Sequence, residues 1–508
     1  MITARRISQV LFLLLFLFFF LQARYPYETF IPSDLFLRSS PLVGLATMIA
    51  ARAFIATAIL SLIVLLLTIP LGRFFCGWVC PLGTVIDASD KLIKRKKAKL
   101  AELDNKKFRS WKFAILIAVL VGSIFSMQFV WFFDPIALLT RTMTTVIFPS
   151  FVFVVKGLFD FAFTLGFLED QLYSAYNFAQ NSVLPVSQPR FYQSLVIFFI
   201  FVLILALGLV SKRFWCRNLC PLGALLGIFS KYRIVKRYVS EECNQCAVCR
   251  RECRMNAIED DYTINNTVEC IECAECVAVC KPHAVSYKFG FNKGKNEIDL
   301  SRRRFLQASV AGVASIALVK TAAANRNNKG YAIRPPGAVP EDEFLDRCIR
   351  CQECVRICST TGACLQPSML QSGWEGIWSP VAVPRLGYCE FNCNLCGQVC
   401  PTGAIRNIDL ERKKKLRMGL AYFDKTRCIP WQRQEDCLVC EEHCPTPDKA
   451  IKFDIHEARG PDGAMRMVKF PYVIKDLCIG CGICETKCPV IGHPGIYVTA
   501  DNEERIIV

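Results

Sequence analysis

The chain lacks the motifs with which many redox and phosphate-transferring enzymes hold their cofactors. Its glycines form neither a G-x-G-x-x-G loop nor a Walker motif, and no C-x-x-C-H sequence is present. Histidine is scarce, with 4 residues in 508. Rossmann-type dinucleotide binding, P-loop nucleotide binding and covalent c-type haem are therefore excluded, and imidazole can supply few metal ligands.

Cysteine, in contrast, is abundant, and 24 of the 29 cysteines fall into six groups of four. The first two groups have the C-x2-C-x2-C-x3-C spacing of bacterial ferredoxins, whose fourth thiolate binds the neighbouring cluster. Zinc sites usually lack the third closely placed cysteine, and a bacterial cytosol does not sustain disulfides. We therefore expect two [4Fe-4S] clusters here. Their ligands would be Cys243, Cys246, Cys249 and Cys280 for the first and Cys270, Cys273, Cys276 and Cys253 for the second.

Four more groups follow, which brings the expected number of [4Fe-4S] clusters to six. They are Cys348, Cys351, Cys354, Cys358; Cys389, Cys393, Cys396, Cys400; Cys428, Cys437, Cys440, Cys444; and Cys478, Cys481, Cys484, Cys488. The inner two groups are stretched, which predicts that they form a unit nested inside a unit made by the outer two.

In that nested arrangement, each fourth cysteine completes a cluster of the paired group. Cys488 would join Cys354, Cys358 would join Cys478, Cys400 would join Cys428, and Cys444 would join Cys389. Sequential pairing is the alternative, and the stretched loops are also compatible with zinc or a three-iron cluster. Cys364 is left over and is expected to be a buried free thiol.

Long apolar runs indicate that part of the chain lies in a membrane. The hydrophobic content is 53%, which is high for a soluble protein. Runs near the length of a membrane-spanning helix occur at 8–23, 48–71, 112–133 and 192–211, and a shorter one covers 305–323. Because Arg5 and Arg6 precede the first run, a cleaved signal peptide is the alternative for that segment.

The net charge of +17 comes largely from two basic blocks that follow apolar runs. Ten Lys or Arg lie from Lys91 to Lys112, and seven lie from Lys212 to Arg237 without an intervening acid. The positive-inside rule makes both blocks cytoplasmic loops, rather than nucleic-acid contacts. The N-terminus and the first ferredoxin motif would then be inside, and the loops 24–47 and 134–190 outside. The segment 149–168 would lie at the outer surface or form a re-entrant hairpin.

An internal repeat supports this topology. FLRSSPLVGLA and RFFCGWVCPLG in the first copy correspond to WFFDPIALLTR and KRFWCRNLCPLG in the second, which carries about 46 extra residues. Each copy ends in C-x3-C-P, formed by Cys76 and Cys80 in one and by Cys216 and Cys220 in the other. Two such pairs can converge on a shared metal or cluster. The alternative is a purely structural role, in which the proline ends each helix and the thiols pack against their neighbours.

Residues 301–324 read SRRRFLQASVAGVASIALVKTAAA and resemble a twin-arginine export signal. This pathway carries folded proteins, as export of a domain with cytoplasmically inserted clusters requires. An ordinary membrane anchor is the alternative and gives the same orientation, with 340–508 outside. Cleavage near Ala324 is compatible with either interpretation.

At the family level, residues 1 to about 290 resemble the NapH and MauN membrane ferredoxins, through the two C-x3-C-P motifs and the double cluster motif. Residues 301–508 resemble the NapG and MauM group, through the twin-arginine core, RPPGAVPEDEFLDRCIRCQECVRIC, MGLAYFD and DLCIGCGICETKCP. Cys253 and Cys358 lack the usual following proline, and the spacing of Cys389 and Cys393 departs from the family. The resemblance implies a menaquinol dehydrogenase that sends electrons to a periplasmic reductase of the nitrate-reductase type.

The expected fold is a membrane α-helical bundle of two repeated helix hairpins plus a fifth anchor helix, with two α+β ferredoxin-like domains, one double-cluster and one four-cluster. The predicted parts are a membrane domain 1–240, a cytoplasmic ferredoxin domain 241–292, a signal or anchor helix 293–325, a linker 326–340 and an extracytoplasmic ferredoxin domain 341–508. The expected location is the cytoplasmic membrane.

The expected activity is quinol oxidation, with membrane lipid, the quinone pool and an extracytoplasmic cytochrome or reductase as partners. Asp134, Arg141, Glu28 and Asp34 are the candidates for the quinol site on the outer face. His283, His443, His456 and His493 are not expected to be ligands, because every cluster already has four thiolates. A maturation factor for a metalloenzyme and a redox-sensing membrane regulator are the alternative functions.

Overall fold

Apolar helices dominate the N-terminal half of the chain, and short helices, turns and two-stranded sheets dominate the rest. The computed structural model describes residues 2–93, 106–166, 169–185, 190–290, 301–321, 332–369, 371–460 and 463–507. The chain divides into two units, each assembled from separate stretches. The first unit contains Met1–Gln22, Thr29–Met143 and Ser194–Leu318, and the second contains Ala23–Glu28, Thr144–Gln193 and Val319–Val508.

The first unit is mainly helical. Its α-helices are Ile2–Gln22, Leu35–Arg38, Pro41–Ala51, Ile59–Leu71, Pro81–Leu92, Ser110–Ile124, Val130–Phe133, Pro135–Thr142, Ser194–Ala206, Pro221–Phe229, Val248–Glu252, Glu275–Ala278 and most of Arg302–Thr321. Strands Val235–Val239 and Val285–Phe289 pair antiparallel and frame the ferredoxin loops between them.

Proline begins corresponding helices in the two copies of the repeat. Helices Pro41–Ala51 and Pro135–Thr142 follow Ser40 and Asp134, and Pro81–Leu92 and Pro221–Phe229 follow Cys80 and Cys220. Proline suits the first helical position because its missing N–H would have no intrahelical partner there. The two C-x3-C segments form matching π-helical turns, Phe75–Val79 and Trp215–Leu219. The repeat read from the sequence is therefore also a structural repeat.

By length and composition, helices Ile2–Gln22 and Pro135–Thr164 are long and apolar enough to cross a membrane. Shorter apolar helices are Pro41–Ala51, Ala56–Leu71, Ser110–Ile124 and Ser194–Leu209. The span expected at 48–71 is interrupted because Arg52, with a φ of 49°, ends the helix Pro41–Ala51. The span expected at 112–133 ends at Ile124. The number of crossings predicted from the sequence therefore stays a prediction.

The segment 149–168, expected to lie at the outer surface or to form a re-entrant hairpin, is helical up to Thr164, and its position relative to a membrane stays a prediction. Its residues up to Thr164 continue a 30-residue apolar helix that begins at Pro135, and residues 167 and 168 lie outside the described residues. Lys156 faces Asp160 one turn later and also donates to the carbonyl of Pro185 at 3.2 Å.

Helix Arg302–Thr321 carries the twin-arginine sequence and packs against helix Ser110–Ile124. A Cβ atom at Gly312 would lie 3.4 Å from Cα of Ala118 and 3.4 Å from Cγ1 of Val121. Arg304 also hydrogen-bonds Ser110. These contacts fit an anchor helix that remains with the first unit. Residues 291–300 and 322–331, which contain the predicted boundaries of this segment and much of the linker, lie outside the described residues.

The second unit contains a helical hairpin and a cysteine-rich region. Helices Phe148–Thr164 and Glu169–Ser182 form the hairpin, with Tyr176 packed against Phe159 and Phe163. The remaining helices are Glu341–Arg347, Glu353–Cys358, Leu395–Gln398, Leu410–Lys415, Ile429–Arg433, Val439–Glu442 and Ile483–Lys487. Antiparallel strand pairs are Leu365–Pro367 with Pro380–Ala382, Leu420–Phe423 with Ile496–Thr499, and Ile451–Arg459 with Met465–Val473. The buried cores of this unit are rich in cysteine.

Candidate metal centres

Four cavities in the second unit are each lined by cysteines from two neighbouring groups. The sets are Cys348, Cys351, Cys354 and Cys400; Cys358, Cys389, Cys393 and Cys396, together with Cys364; Cys428, Cys437, Cys440 and Cys488; and Cys444, Cys478, Cys481 and Cys484. Four thiols around one cavity are the donor set of a [4Fe-4S] cubane, so these residues fit that cofactor.

The expected nesting of these groups is wrong, and the pairing is sequential. Cys400 lines the same cavity as Cys348, and Cys358 lines the same cavity as Cys389. Cys444 likewise lies with Cys478, and Cys488 with Cys428. The extra residues in a stretched group lengthen its own loop, whereas the partner of the fourth cysteine is decided by which group folds back against it.

Each compact loop in the chain has the same local backbone. The residues two and four positions after the first cysteine have positive φ, between 51° and 79°. They are Gln245, Ala247, Glu272, Ala274, Arg350, Gln352, Gly480 and Gly482. Turns of this kind direct successive backbone N–H groups to one side, where they stabilise an anion. For residues other than glycine this conformation is costly, which is typical of functional loops.

In the first unit, the thiols expected to hold the second cluster come together. Cys253 and Cys273 lie in one buried apolar cluster with Cys270. Cys276 lies within electrostatic range of Cys270 and Cys253. For the other expected cluster, Cys249 and Cys280 share a second apolar cluster with Ile258.

The four cysteines of the C-x3-C-P motifs are neighbours. Cys80 and Cys220 each lie within electrostatic range of both Cys76 and Cys216. Cys80 and Cys220 each stand immediately before the next helix, and their sulfurs accept from the amides of Gly83 and Gly223 at 3.4 Å.

Cys76 and Cys216 also pack against the loop that carries Cys270 and Cys273. The thiols of the repeat therefore adjoin those of the second cluster. The close approach requires Gly77, because a Cβ atom there would lie 2.3 Å from the carbonyl oxygen of Ile271.

Two fully buried arginines cross between the copies of the repeat. Arg213, from the second copy, donates to the carbonyls of Cys76 at 2.9 Å and Gly83 at 3.2 Å. Arg73, from the first copy, reaches towards Gly223, whose Cβ would lie 2.6 Å from its Nη2. Within the described residues, Nε and Nη2 of Arg73 have no hydrogen-bond partner. Buried cations beside four thiols favour an anionic group at this position.

These arginines were not singled out in the sequence, although a signal was present. Each stands three residues before the first cysteine of its copy, so the repeat itself marks the position. Arg213 is held by Asp87, whose carboxylate it contacts twice at 2.7 Å. Asp87 also accepts from Arg254 at 3.0 Å and from Gln9 at 2.8 Å, which ties the first helix to the ferredoxin loops.

The candidates for the quinol site have different environments. Asp134 is fully buried and caps a helix, accepting from the amides of Ile136 and Ala137 at 3.0 and 2.9 Å and from Ser40 at 2.6 Å. Its carboxylate therefore has a structural role. Arg141 is buried and donates to the carbonyl of Trp131 at 2.9 Å. Glu28 is exposed.

Asp34 is the candidate with the environment of a base. It is 1% exposed, and Oδ2 accepts from Arg38 at 2.8 Å while Oδ1 has no hydrogen-bond partner among the described residues. Burial raises the pKa of Asp34 to about 6, although the Arg38 guanidinium opposes this change. A carboxylate with such a pKa exchanges protons readily near neutral pH.

Among the described residues, which include all the cysteines, no three His, Cys, Asp or Glu side chains are arranged to bind a single metal ion. His443 uses Nδ1 in a 2.9 Å contact with the carbonyl of Val439, and the ring of His456 lies 6.1 Å from that of Phe470 between centroids.

Comparison with known proteins supports the interpretation of the cysteines. Residues 53–99 and 193–238, which contain the C-x3-C-P motifs, match a family described as a 4Fe-4S binding domain, and residues 471–490 match another family of the same description. No solved structure matches the chain.

Curated relatives carry ferredoxin names. The chain is 33% identical over 209 residues to the methylamine utilization ferredoxin-type protein MauM of Methylorubrum extorquens, which covers 39% of the chain and 88% of the relative. It is 34% identical over 203 residues to the ferredoxin-type protein NapG of Escherichia coli, covering 39% of the chain and 84% of the relative. The chain is also 33% identical over 196 residues to MauM of Paracoccus denitrificans, which covers 38% of the chain and 80% of that relative. Ferredoxin-type 4Fe-4S domains are therefore present in this chain.

Proposed function

We propose that this chain, which belongs to the family of the ferredoxin-type proteins MauM and NapG, oxidises quinol at a membrane and passes the electrons to a redox protein outside the cytoplasm. The coarser function, iron-sulfur electron transfer, follows from the family and the 4Fe-4S domains. The finer parts of the proposal are menaquinol as the donor, six [4Fe-4S] clusters, a multi-pass position in the cytoplasmic membrane and a periplasmic reductase as the acceptor.

The observation that carries the proposal is the contact between the repeat and the first ferredoxin loops. Cys76 and Cys216 pack on the loop of Cys270 and Cys273. Because electron transfer between centres depends on their closeness, a redox group at the C-x3-C-P thiols would have a neighbouring acceptor. Arg73 supports this role, since its buried N–H groups would stabilise an anionic group there.

The chain's own residues hold this junction rigid. Lys112 and Arg73 both pair with the buried Glu269, immediately before Cys270. Trp78 donates to the carbonyl of Glu272 at 3.2 Å, and Arg5 pairs with Glu275 at 2.9 Å. Bound clusters would supply one-electron transfer. The surrounding ion pairs hold the C-x3-C-P thiols in a fixed position relative to the ferredoxin loop of Cys270 and Cys273.

Oxidation of a quinol to a quinone releases two electrons and two protons, so a base must accept the protons. Of the four candidates, Asp34 fits best, because Oδ1 is free of hydrogen bonds within the described residues and its pKa is about 6. Asp134 is proposed only as a structural partner of Ser40 and the helix Pro135–Thr142. Asp34 follows the first long apolar helix, in the loop that the charge pattern assigns to the outer face.

The test is quinol-driven reduction of the purified full-length protein, followed by EPR under anaerobic conditions. The wild type should contain about 24 iron atoms and 24 acid-labile sulfides for six clusters, plus any bound at the repeat. A menaquinol analogue should reduce its clusters. Cys76→Ser and Cys216→Ser should each abolish this reduction while leaving the iron of the six ferredoxin-type clusters bound.

Three results would contradict parts of the proposal. Iron near 8 per chain would mean that the second unit binds something else. Reduction at the wild-type rate in both variants would make the C-x3-C-P motifs structural. A fully loaded wild type that quinol does not reduce would favour the maturation or sensing role instead.

A further inference from the structure

Five thiols, not four, line one of the cavities in the second unit. Cys364 lies there with Cys358, Cys389, Cys393 and Cys396. Its side chain is 3% exposed, so the thiol is directed into the protein. The three other cysteine-lined cavities described above are each lined by four cysteines. This cavity therefore contains one thiol more than a cubane binds.

The fifth thiol is held next to one particular ligand. The sulfurs of Cys364 and Cys358 are 3.9 Å apart, within the range of a sulfur hydrogen bond. The backbone keeps them there, because the amide of Ala363 donates to the carbonyl of Cys358 at 3.0 Å. The carbonyl of Cys364 in turn accepts from Val383 at 2.8 Å. Sulfurs in such close contact do not fit two corners of one cubane, so one is the ligand and the other its neighbour.

The sequence spacing identifies Cys358 as the ligand. It is the fourth cysteine of its group, as Cys400, Cys444 and Cys488 are of theirs, and those three lie in the neighbouring cavities. Cys364 belongs to none of the six groups. The fifth thiol is therefore the neighbour of a ligand.

Two equivalent cysteines have a hydroxyl in this neighbouring position. Cys400 lies 3.9 Å from Oγ1 of Thr402, and Cys444 lies 3.2 Å from Oγ1 of Thr446. Both belong to a Cys-Pro-Thr sequence, which Cys358 lacks.

The hydroxyls that follow Cys358 are used elsewhere. Ser359 donates to the carbonyl of Arg356 at 2.7 Å, and Thr360 donates to that of Ile357 at 2.7 Å. The thiol of Cys364 takes the place that a threonine hydroxyl has beside Cys400 and Cys444.

We propose that Cys364 donates an S–H hydrogen bond to the thiolate of Cys358 and thereby raises the reduction potential of the cluster held by Cys358, Cys389, Cys393 and Cys396. The inference rests on the cluster assignment proposed above. Reduction adds negative charge to the cluster and its thiolates, so a donor to a ligand sulfur stabilises the reduced state more than the oxidised state. Cys364 is thus a tuning residue and not a ligand.

The test compares Cys364→Ala and Cys364→Ser in the purified full-length protein by redox titration followed with EPR. Cys364→Ala should shift the midpoint potential of one cluster to a more negative value and leave iron content unchanged. Cys364→Ser keeps a donor and should retain a midpoint closer to the wild type. Cys393→Ser, which alters a ligand of the same cluster, identifies the signal that belongs to it.

Two outcomes overturn the inference. If Cys364→Ala leaves every midpoint unchanged, the thiol has no effect on the cluster. If this variant loses about four iron atoms per chain, Cys364 is a ligand. Failure of the proposed function is distinguishable, because it appears in the wild type as too little iron or as clusters that quinol does not reduce.

Discussion

At the scale of single residues, the contrast between Asp34 and Asp134 decides which carboxylate is suited to proton transfer. Both are buried, but Asp134 is saturated by two amides and the hydroxyl of Ser40. Asp34 has one carboxylate oxygen bound to Arg38 and the other without a partner among the described residues. Burial raises the pKa of both carboxyl groups, so a raised pKa alone does not identify a base, whereas an unused carboxylate oxygen does.

We predict that Asp34→Asn slows quinol oxidation by about 10²- to 10⁴-fold, because the amide cannot accept the proton. In the wild type, the activity should rise with pH through about 6, where Asp34 loses its proton. Steady-state rates with a menaquinol analogue between pH 5 and 8 measure both effects.

Asp134→Asn is the matched control for that measurement. Asparagine also caps helices, so this variant should keep most of the activity and the same pH profile. The assignment is wrong if Asp34→Asn is as active as the wild type or if the profile does not depend on Asp34.

At the scale of elements, the π-helical turn Phe75–Val79 determines how closely the first ferredoxin loop approaches the repeat. Gly77 in this turn contacts Ile271 through its backbone, and the equivalent residue of the second copy is Arg217. The two copies therefore differ at this position, although Cys76 and Cys216 both pack on the cluster loop. A side chain at Gly77 would have to displace the segment that carries Cys270 and Cys273.

Gly77→Val is expected to destabilise this junction by about 1 to 3 kcal/mol through overpacking and to slow electron transfer across it. Thermal unfolding in detergent and quinol-driven reduction measure the two effects. Gly157→Val is the control, because a Cβ atom at Gly157 has no neighbour within 4 Å. Equal behaviour of the two variants would show that the close approach is unimportant.

The elements also show where sequence reasoning succeeds and where it stops. Cysteine spacing and the repeat are local patterns, and the structure places all four C-x3-C-P thiols together as the repeat suggests. Pairing of the last four groups depends on long-range packing, which is why nesting was wrong. The capping role of Asp134 could be predicted, since an Asp before Pro is a helix-start signal. The contact of Arg213 with Asp87 could not be predicted from the sequence, because 126 positions separate the two residues.

At the scale of the whole molecule, the orientation predicted from the charge pattern can be compared with a few contacts inside each unit. Arg5, at the start of the first helix, pairs with Glu275 of the first ferredoxin region. The backbone of Tyr25, just after that helix, donates to Thr360 of the cysteine-rich region at 3.0 Å. Gln193, after the helical hairpin, donates to the carbonyl of Pro367. Arg5 therefore contacts the domain predicted to be inside, and Tyr25 contacts the domain predicted to be outside, while the orientation itself stays a prediction.

Reporter fusions measure this orientation directly. We expect cytoplasmic reporter activity after Lys99 and Pro282 and extracytoplasmic activity after Pro185 and Val508. Changing Arg302 and Arg303 to Lys should trap the last domain inside if the helix Arg302–Thr321 is read as a twin-arginine signal, whereas unchanged export would favour a plain anchor. A cytoplasmic reporter after Val508 would remove the external acceptor from the proposed function.

Two buried arginines make each copy of the repeat depend on the other. Arg213 completes the turn of the first copy, and Arg73 reaches the turn of the second, so neither copy contains all of its own contacts. A single copy would leave a buried turn without its guanidinium, so we expect the two halves to fold together. Their residues can still differ at matching positions, as the pair Gly77 and Arg217 illustrates.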